Sequence, residues 1–365
     1  MKVLILIEVA APSRYWSAAI PLLRDKGIDV QLAVLRSPGP LTEELTAKGI
    51  KAVTFGAKTS RNYIGAAIEL AMLTRRERID IVHASESIPA TVSGFSRFFG
   101  GKGVRLFHRH HTVCPENSKF FNGYANRTAD LVMACSKAAM DHAIRFDGVD
   151  ADRACVAYNG IVPLSSVGSE EVVELKNSLG ISANEKVISI VGRLREEKGH
   201  LTLFEAAELV AERLGRPVHV VVTGSGYYED VLKAAAAKLE NVKVHFSGHR
   251  EEIGPWFAIG NLVAVPSYIE PFGLVAAEAM SLGLPVIASD VGGLAEIVED
   301  GISGILAPPK NANALAAAIE NVLNDPELAC ELGENGRRRV LEKFTMEKMV
   351  DRWIECYQLA LGTAK

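Results

Sequence analysis

Short apolar runs and longer amphipathic stretches take turns along this chain. Lys2–Val9 (KVLILIEV) is apolar almost without interruption, as a strand covered on both faces must be. A helical period follows from about Ser13 to Lys26 and stops at Gly27. The same pattern predicts strands at Ile28–Val34, Lys51–Thr54, Asp80–Ala84, Val104–His108 and Asp130–Cys135. Helical patterns fall at Thr42–Lys48, Tyr63–Arg78, Ile88–Phe99, Phe121–Thr128 and Ser136–Phe146. This alternation implies a parallel sheet with helices on both faces, because each parallel crossover needs a helix-length connection.

The rhythm pauses at Ile161–Gly168 (IVPLSSVG), where Pro, Ser and Gly stand without period, as in a linker. It resumes with strands at Lys186–Val191, Pro217–Thr223, Val242–Phe246, Leu262–Val265, Pro285–Ala288 and Gly304–Ala307. Helical patterns lie at His200–Arg213 and Tyr228–Leu239, and the tail Asn313–Leu361 is helical, punctuated by Asp325-Pro326 and Phe344-Thr345. The expected fold class is α/β, with two consecutive Rossmann-like halves and a ligand cleft between them at the carboxyl ends of the strands.

A length of 365 residues agrees with two domains at roughly 150 residues each, and 48% hydrophobic residues can fill two cores. Charged residues at 23% exclude a disordered or fibrous chain. The apolar start Val3–Ala11 is too short for a membrane span and has no basic region beyond Lys2, so neither a span nor a secretory signal is expected. Five widely spaced cysteines without a CxxC pair suit a reducing, cytoplasmic setting. Charge is uneven. Residues 1–165 carry 21 Lys and Arg against 15 Asp and Glu, leaving 19 against 29 of the chain's 40 and 44 for the rest. The first half can therefore attract an anionic surface, although a chance division of solvated charge has the same appearance.

Three loops in the second half carry candidate chemistry. GRLREEKG at 192–199 follows a strand and brings Arg193 and Lys198 to the start of a helix. A guanidinium fork, an ammonium and a positive helix end together suit a diphosphate; two surface cations are the bland alternative. Gly224-Ser225-Gly226 permits close backbone approach to a ligand or is simply a tight turn. The third loop, PSYIEPFGLVAAE at 266–278, holds Glu270 ahead of a helix expected to open at Pro271. The amides of Phe272, Gly273 and Leu274 would then face an anion or a sugar hydroxyl. Glu278 lies eight residues after Glu270, so the two carboxylates do not stack, and Glu278 either meets vicinal hydroxyls or pairs locally.

Together, GRLREEKG at 192–199 and PSYIEPFGLVAAEAMSLGLPVIASDVGGLAEIVEDGISGIL at 266–306 closely resemble the retaining family-4 glycosyltransferases of the GT-B fold. Glu270 and Glu278, the Gly-x-Pro-Val of 283–286, Gly292-Gly293 and Glu296 stand in the family's order. The resemblance implies an acceptor domain over 1–164, with a terminal helix 345–365 packing back on it, and a donor domain over 165–344. It implies sugar transfer from a nucleotide-diphosphate donor, UDP- or GDP-linked, to a hydroxyl acceptor with retention, without cofactor or metal. Arg193 and Lys198 would hold the diphosphate, Glu278 the ribose, and Glu270 the donor sugar near its anomeric centre. Phe272, Gly273 and Leu274 would lend amides, and the loop at Gly248-His249-Arg250-Glu251 would approach the base. In the first half, a histidine of His108-Arg109-His110-His111 would reach the donor sugar, with His110 favoured over His111. A metal held by His108, His110 and Cys114 is the sharper alternative there.

One departure stands out. The family commonly carries Gly-Gly after the first strand, whereas this chain reads EVAAPSRYW at 8–16, which leaves Arg14 to compensate for lost amides or alters donor use. The expected acceptor is a cell-envelope glycan or glycolipid, such as a polyprenyl-diphosphate-linked glycan or lipopolysaccharide core. The expected location is cytoplasmic, with peripheral contact to the inner face of an anionic membrane through the first half. A nucleotide-sugar epimerase of the same architecture and a nucleotide-sugar binder without turnover are the rival readings. No nucleic-acid partner is expected.

Overall fold

The computed structural model describes residues 1–110 and 119–363. They form two compact units, one from Met1–Val162 plus the C-terminal helix Met346–Thr363, the other from Pro163–Thr345. Each unit is a parallel sheet flanked by helices.

In the first unit the strands are β1 (Lys2–Ile7), β2 (Asp29–Val34), β3 (Ala52–Thr54), β4 (Ile81–Ser85), β5 (Val104–Arg109), β6 (Leu131–Ala134) and β7 (Ala154–Val156). Their order is β3-β2-β1-β4-β5-β6-β7. In the second unit β8 (Lys186–Val191), β9 (Val218–Thr223), β10 (Val242–Gly248), β11 (Leu262–Val265), β12 (Val286–Ser289) and β13 (Ile305–Ala307) follow the order β10-β9-β8-β11-β12-β13. In both sheets the order reverses beside the unit's first strand, the switch point at which α/β folds open a crevice beyond the strand ends. In-register parallel pairing, such as Lys2 with Asp29 through Ile7 with Val34, brings the carboxyl ends of all strands in a sheet to one edge.

Burial explains the composition of the strands. Val3, Leu4, Ile5 and Leu6 are fully buried, as are Val218 and Val220 in the second sheet, because helices cover both faces. β7 has no counterpart in the sequence reading. Its three residues, Ala-Cys-Val, are too few to show a period, and only sheet pairing to β6 defines it. The helices Ser169–Ser178 and Gly254–Ala258 were also not legible: the first buries no residue, and the second has only five.

The terminal helix belongs to the first core. Trp353 and Tyr357 are fully buried there beside Ile5, Ile20 and Leu23. Backbone and side-chain bonds fasten its near edge: Met346 N donates to Ile161 O at 3.0 Å, Gly160 N to Met349 Sδ at 3.1 Å, and Arg352 Nε to Val156 O at 2.9 Å. Trp353→Ala removes the largest fully buried side chain and leaves a void the strands cannot close. It is expected to cost about 3–5 kcal/mol, read as a lowered denaturant midpoint with the slope unchanged.

Candidate active site

In the second unit, the loops beyond β8, β9 and β10 are tied backbone to backbone. Gly192 N donates to Thr223 O at 2.9 Å, Leu194 N to Ser225 O at 3.0 Å, and Gly224 N to Gly248 O at 2.8 Å. Gly224 has φ +141°, and a Cβ there would sit 1.8 Å from the Gly192 carbonyl oxygen, so no other residue fits. The sequence-predicted Gly224 is thus a packing requirement between two strand ends.

The loop from β8 ends in a single 3₁₀ turn, Glu196–Lys198, and the helix His200–Leu214 follows with Gly199 as its left-handed N-cap. Lys198 Nζ donates to Glu270 Oε2 at 2.7 Å, and Ser267 Oγ donates to the same oxygen at 3.2 Å. Both members of this ion pair are about four-fifths buried or more. The neighbouring loops are joined further by Tyr268 N donating to Glu197 O at 2.7 Å and by a 2.8 Å bond between Thr202 Oγ1 and the Tyr268 hydroxyl. Lys310 Nζ lies 4.9 Å from the Tyr268 ring centroid.

From the other side, the turn after β12 grips Glu270. Gly293 N donates to Glu270 O at 2.9 Å, and a Cβ on Gly292 (φ +49°) would sit 2.3 Å from that same oxygen. This packing also moves the helix start. The expected opening at Pro271 is corrected: the helix is Leu274–Ser281, with Gly273 at φ +113° as its N-cap. Phe272 and Gly273 therefore lie outside it. Phe272 is buried and meets the Phe344 ring edge-on at 5.8 Å, and left-handed backbone at Gly273 stops the helix from extending backwards.

The remaining predicted residues of this unit stand on separate elements. Arg193 is exposed in the β8 loop. Glu278 is half-buried in the helix after Gly273, and its carbonyl accepts from Ser281 Oγ at 2.7 Å. Arg250, beyond β10, places its guanidinium 4.7 Å from the Trp256 ring centroid in an open groove of about 460 Å³ that Glu171 and Glu174 also line. Among the described residues no hydrogen bond joins Arg250 to Lys198 or Glu270. Buried beside the ammonium of Lys198, His200 has its pKa pushed down to about 4, chiefly by desolvation.

In the first unit, His110 follows β5 within a cluster of rings. Its ring lies 4.0 Å from that of His108, 5.6 Å from Tyr15 and 6.5 Å from Trp16. Behind it, His83 Nε2 and His108 Nδ1 share a hydrogen bond at 3.1 Å, and His83 Nδ1 bonds the Tyr357 hydroxyl at 2.7 Å. Trp353 meets His83 edge-on at 4.8 Å. Desolvation lowers the pKa of His83 to about 3 and that of His108 well below its ordinary value, and it raises Tyr15 and Tyr357 well above theirs. Tyr15 donates to Asn159 Oδ1 at 3.2 Å. Glu86, just beyond β4, holds φ +73° although it is not glycine, and its N–H donates to His108 O at 3.0 Å. His111 and Cys114 lie outside the described residues. Among the described residues no three metal-ligating side chains are grouped closely enough to hold an ion.

The family description Glycosyl transferases group 1 matches residues 172–339, and Glycosyltransferase Family 4 matches residues 13–163. Alpha-D-kanosaminyltransferase of Streptomyces kanamyceticus is 30% identical over 268 residues, 72% of this chain and 68% of that protein. The chain belongs to the family-4 glycosyltransferases. An uncharacterised glycosyltransferase of Methanocaldococcus jannaschii is 32% identical over 236 residues, 63% of this chain, and the chain spans 60% of that relative's length. Among solved structures, Anabaena HepE in complex with UDP aligns at a TM-score of 0.82 and 25% identity, covering 97% of this chain and 99% of that one. The two sheets have the GT-B architecture.

In this glycosyltransferase the departure after β1 has a structural outcome. Ser13 caps the helix Arg14–Asp25 by accepting from Trp16 N, which places exposed Arg14 at the helix start and turns Tyr15 and Trp16 toward the histidines. Sequence reasoning did not single out Tyr15, Trp16, His83, Trp353 or Tyr357. The available signal was a polar His83 in the middle of the apolar run 81–84, since a buried polar side chain requires partners.

Two outcomes follow from this geometry. Gly224→Ala forces the β8 and β9 loops apart and should cost at least about 1–3 kcal/mol of stability in the second unit, measured by thermal unfolding. Below pH 6.5 the unfolded chain binds a proton at His83 that the folded chain refuses until about pH 3, so stability falls as pH drops through that window. Urea midpoints between pH 7 and pH 4 should fall less steeply in His83→Gln; an identical slope means that burial does not hold this ring neutral.

Proposed function

We propose that this glycosyltransferase moves a sugar from a nucleoside diphosphate donor, UDP- or GDP-linked, to a hydroxyl acceptor, with retention at the anomeric carbon. The observation that carries the reading is the Lys198–Glu270 pair, held at 2.7 Å where the loops after β8 and β11 meet. It puts a positive group suited to a diphosphate beside a carboxylate suited to sugar hydroxyls. HepE, similar over nearly the whole chain, has been crystallised with UDP, with UDP and glucose, and with UDP-glucose.

Arg193 and Lys198 take the diphosphate charge, and the amides of Gly273 and Leu274 add the positive end of the helix Leu274–Ser281. Phe272 shapes that end, and Gly224 keeps the neighbouring loop close. Glu278 binds the ribose hydroxyls, and Arg250 with Trp256 receives the base. Glu270 holds the donor sugar by its hydroxyls. His110, backed by the neutral His108 and His83 rings, is the first unit's candidate for a donor-sugar contact, with His111 the other. The bond from the anomeric carbon to the diphosphate oxygen breaks, the acceptor oxygen bonds to that carbon on the same face, and the acceptor proton passes to the departing diphosphate. Protein cations supply the charge stabilisation, so the reading includes no metal.

The positive first half favours an acceptor on a cell-envelope glycan or glycolipid. Lys198→Ala should lower kcat/KM by about 10²-fold or more, followed as nucleotide release, with unchanged kinetics counting against this site. In the same assay the product's anomeric coupling, read by proton NMR, should match the donor's, and chelator should leave the rate unaltered.

A further inference from the structure

The helix Tyr63–Arg76 is apolar on both sides. One side, with Tyr63, Ala66, Ala67 and Leu70, packs into the first unit. The other presents Ile64, Ile68 and Met72 to solvent, at 60%, 38% and 52% exposure. They stand four residues apart and so form one stripe, about 12 Å long. A helix apolar all round normally has neighbours all round. Among the described residues this one has them on one side.

A neighbouring segment adds further exposed apolar side chains. The segment 97–102 lies against the C-terminal half of the helix: Lys102 N donates to Thr74 Oγ1 at 3.1 Å, and Arg75 Nη1 is 3.0 Å from where a Gly100 Cβ would be. That segment carries Phe98 at 78% exposure and Phe99 at 41%.

Cations frame this apolar surface. Arg61 precedes the helix, Arg75 and Arg76 end it, and Arg97 and Lys102 flank the phenylalanines; all are exposed. Arg97 pairs with Asp130, and Arg76 pairs with Glu77. Among the described residues Arg61, Arg75 and Lys102 make no ion pair. Glu69 is the one exposed acid of the helix. Two partners could cover an apolar stripe of this kind. A second copy would bring like-charged guanidinium groups face to face across a two-fold axis, which opposes association. An anionic bilayer instead accepts the apolar side chains at its headgroup boundary while its phosphates meet the cations.

We propose that the face formed by Ile64, Ile68, Met72, Phe98 and Phe99, with its arginine and lysine rim, docks this glycosyltransferase on an anionic phospholipid bilayer. The inference deepens the reading of a lipid-linked acceptor and rests on it for its purpose, but the docking itself is measured independently of turnover. The face presents short apolar side chains and no spanning segment; among the described residues no helix is long and apolar enough to cross a membrane.

Sedimentation with vesicles is the test. One set is phosphatidylcholine alone, and in the other about a third of the lipid is phosphatidylglycerol. The expected result is binding to the anionic vesicles only, weakened by added salt. Arg75→Glu should reduce that binding about fivefold or more, the effect of losing one interfacial cation. Ile68→Glu combined with Met72→Glu should abolish it while circular dichroism and the thermal midpoint stay close to wild type. Equal retention on both vesicle types, or undiminished binding by the double variant, would overturn the proposal. So would a wild-type dimer in analytical ultracentrifugation that the double variant converts to monomer, because the face then covers a second copy. Nucleotide release with a soluble acceptor, measured without vesicles, should be unchanged in all these variants. Failure of wild type in that assay counts against sugar transfer, whereas failure on vesicles counts against docking.

Discussion

A lysine and a glutamate 72 residues apart in the chain meet at 2.7 Å, and the organisation of the second unit converges on that contact. Neither side chain could be placed by its own helix or strand, since one sits in a 3₁₀ turn and the other in an irregular loop. Parallel pairing of β8 with β11 brings the two loops to the same edge. Backbone contacts available only to glycine then fix their height, because a Cβ at Gly292 would strike the Glu270 carbonyl oxygen. Desolvation of the two charges offsets most of their attraction, so the pair's net contribution to stability is modest. Its effect is positional: each charged group holds the other's rotamer at the carboxyl edge of the sheet.

The first unit packs aromatic bulk at its strand ends where the second uses close backbone approach. Tyr15 and Trp16, in the first turn of the helix after β1, pack around His83, His108 and His110 together with Trp353 from the far end of the chain. Dry surroundings keep His83 and His108 neutral, so their hydrogen bonds to each other and to Tyr357 are not exchanged for charge repulsion at ordinary pH. His110 therefore rests on a rigid, uncharged base. The same helix that supplies Trp353 and Tyr357 closes the core, which links the order of this cluster to the stability of the unit.

Much of this was legible beforehand. Twelve of the thirteen strands among the described residues announced themselves as apolar runs, because parallel strands covered on both faces tolerate little else. The loop residues Lys198 and Glu270, singled out from the sequence, are brought together at 2.7 Å. β7 escaped because three residues carry no period, and the helix expected at Pro271 was misplaced because the packing of Gly273 against Leu294 and Ile297, which sets the true start, is a long-range contact. The histidine and aromatic cluster escaped for the same reason. Its members come from positions 15 to 357 and share no local pattern.

Periodicity and composition alone determined that this chain builds two parallel-sheet units, since strand and helix patterns are local and repeat every few residues. Residue types at the strand ends marked the two loops that carry Lys198 and Glu270. Tertiary structure alone decided that Lys198 meets Glu270, that Tyr15 and Trp16 face histidines, and that Ile64, Ile68 and Met72 are left uncovered. Each of these depends on distances between segments far apart in the chain, and such distances arise only when the sheets assemble and their cores exclude water.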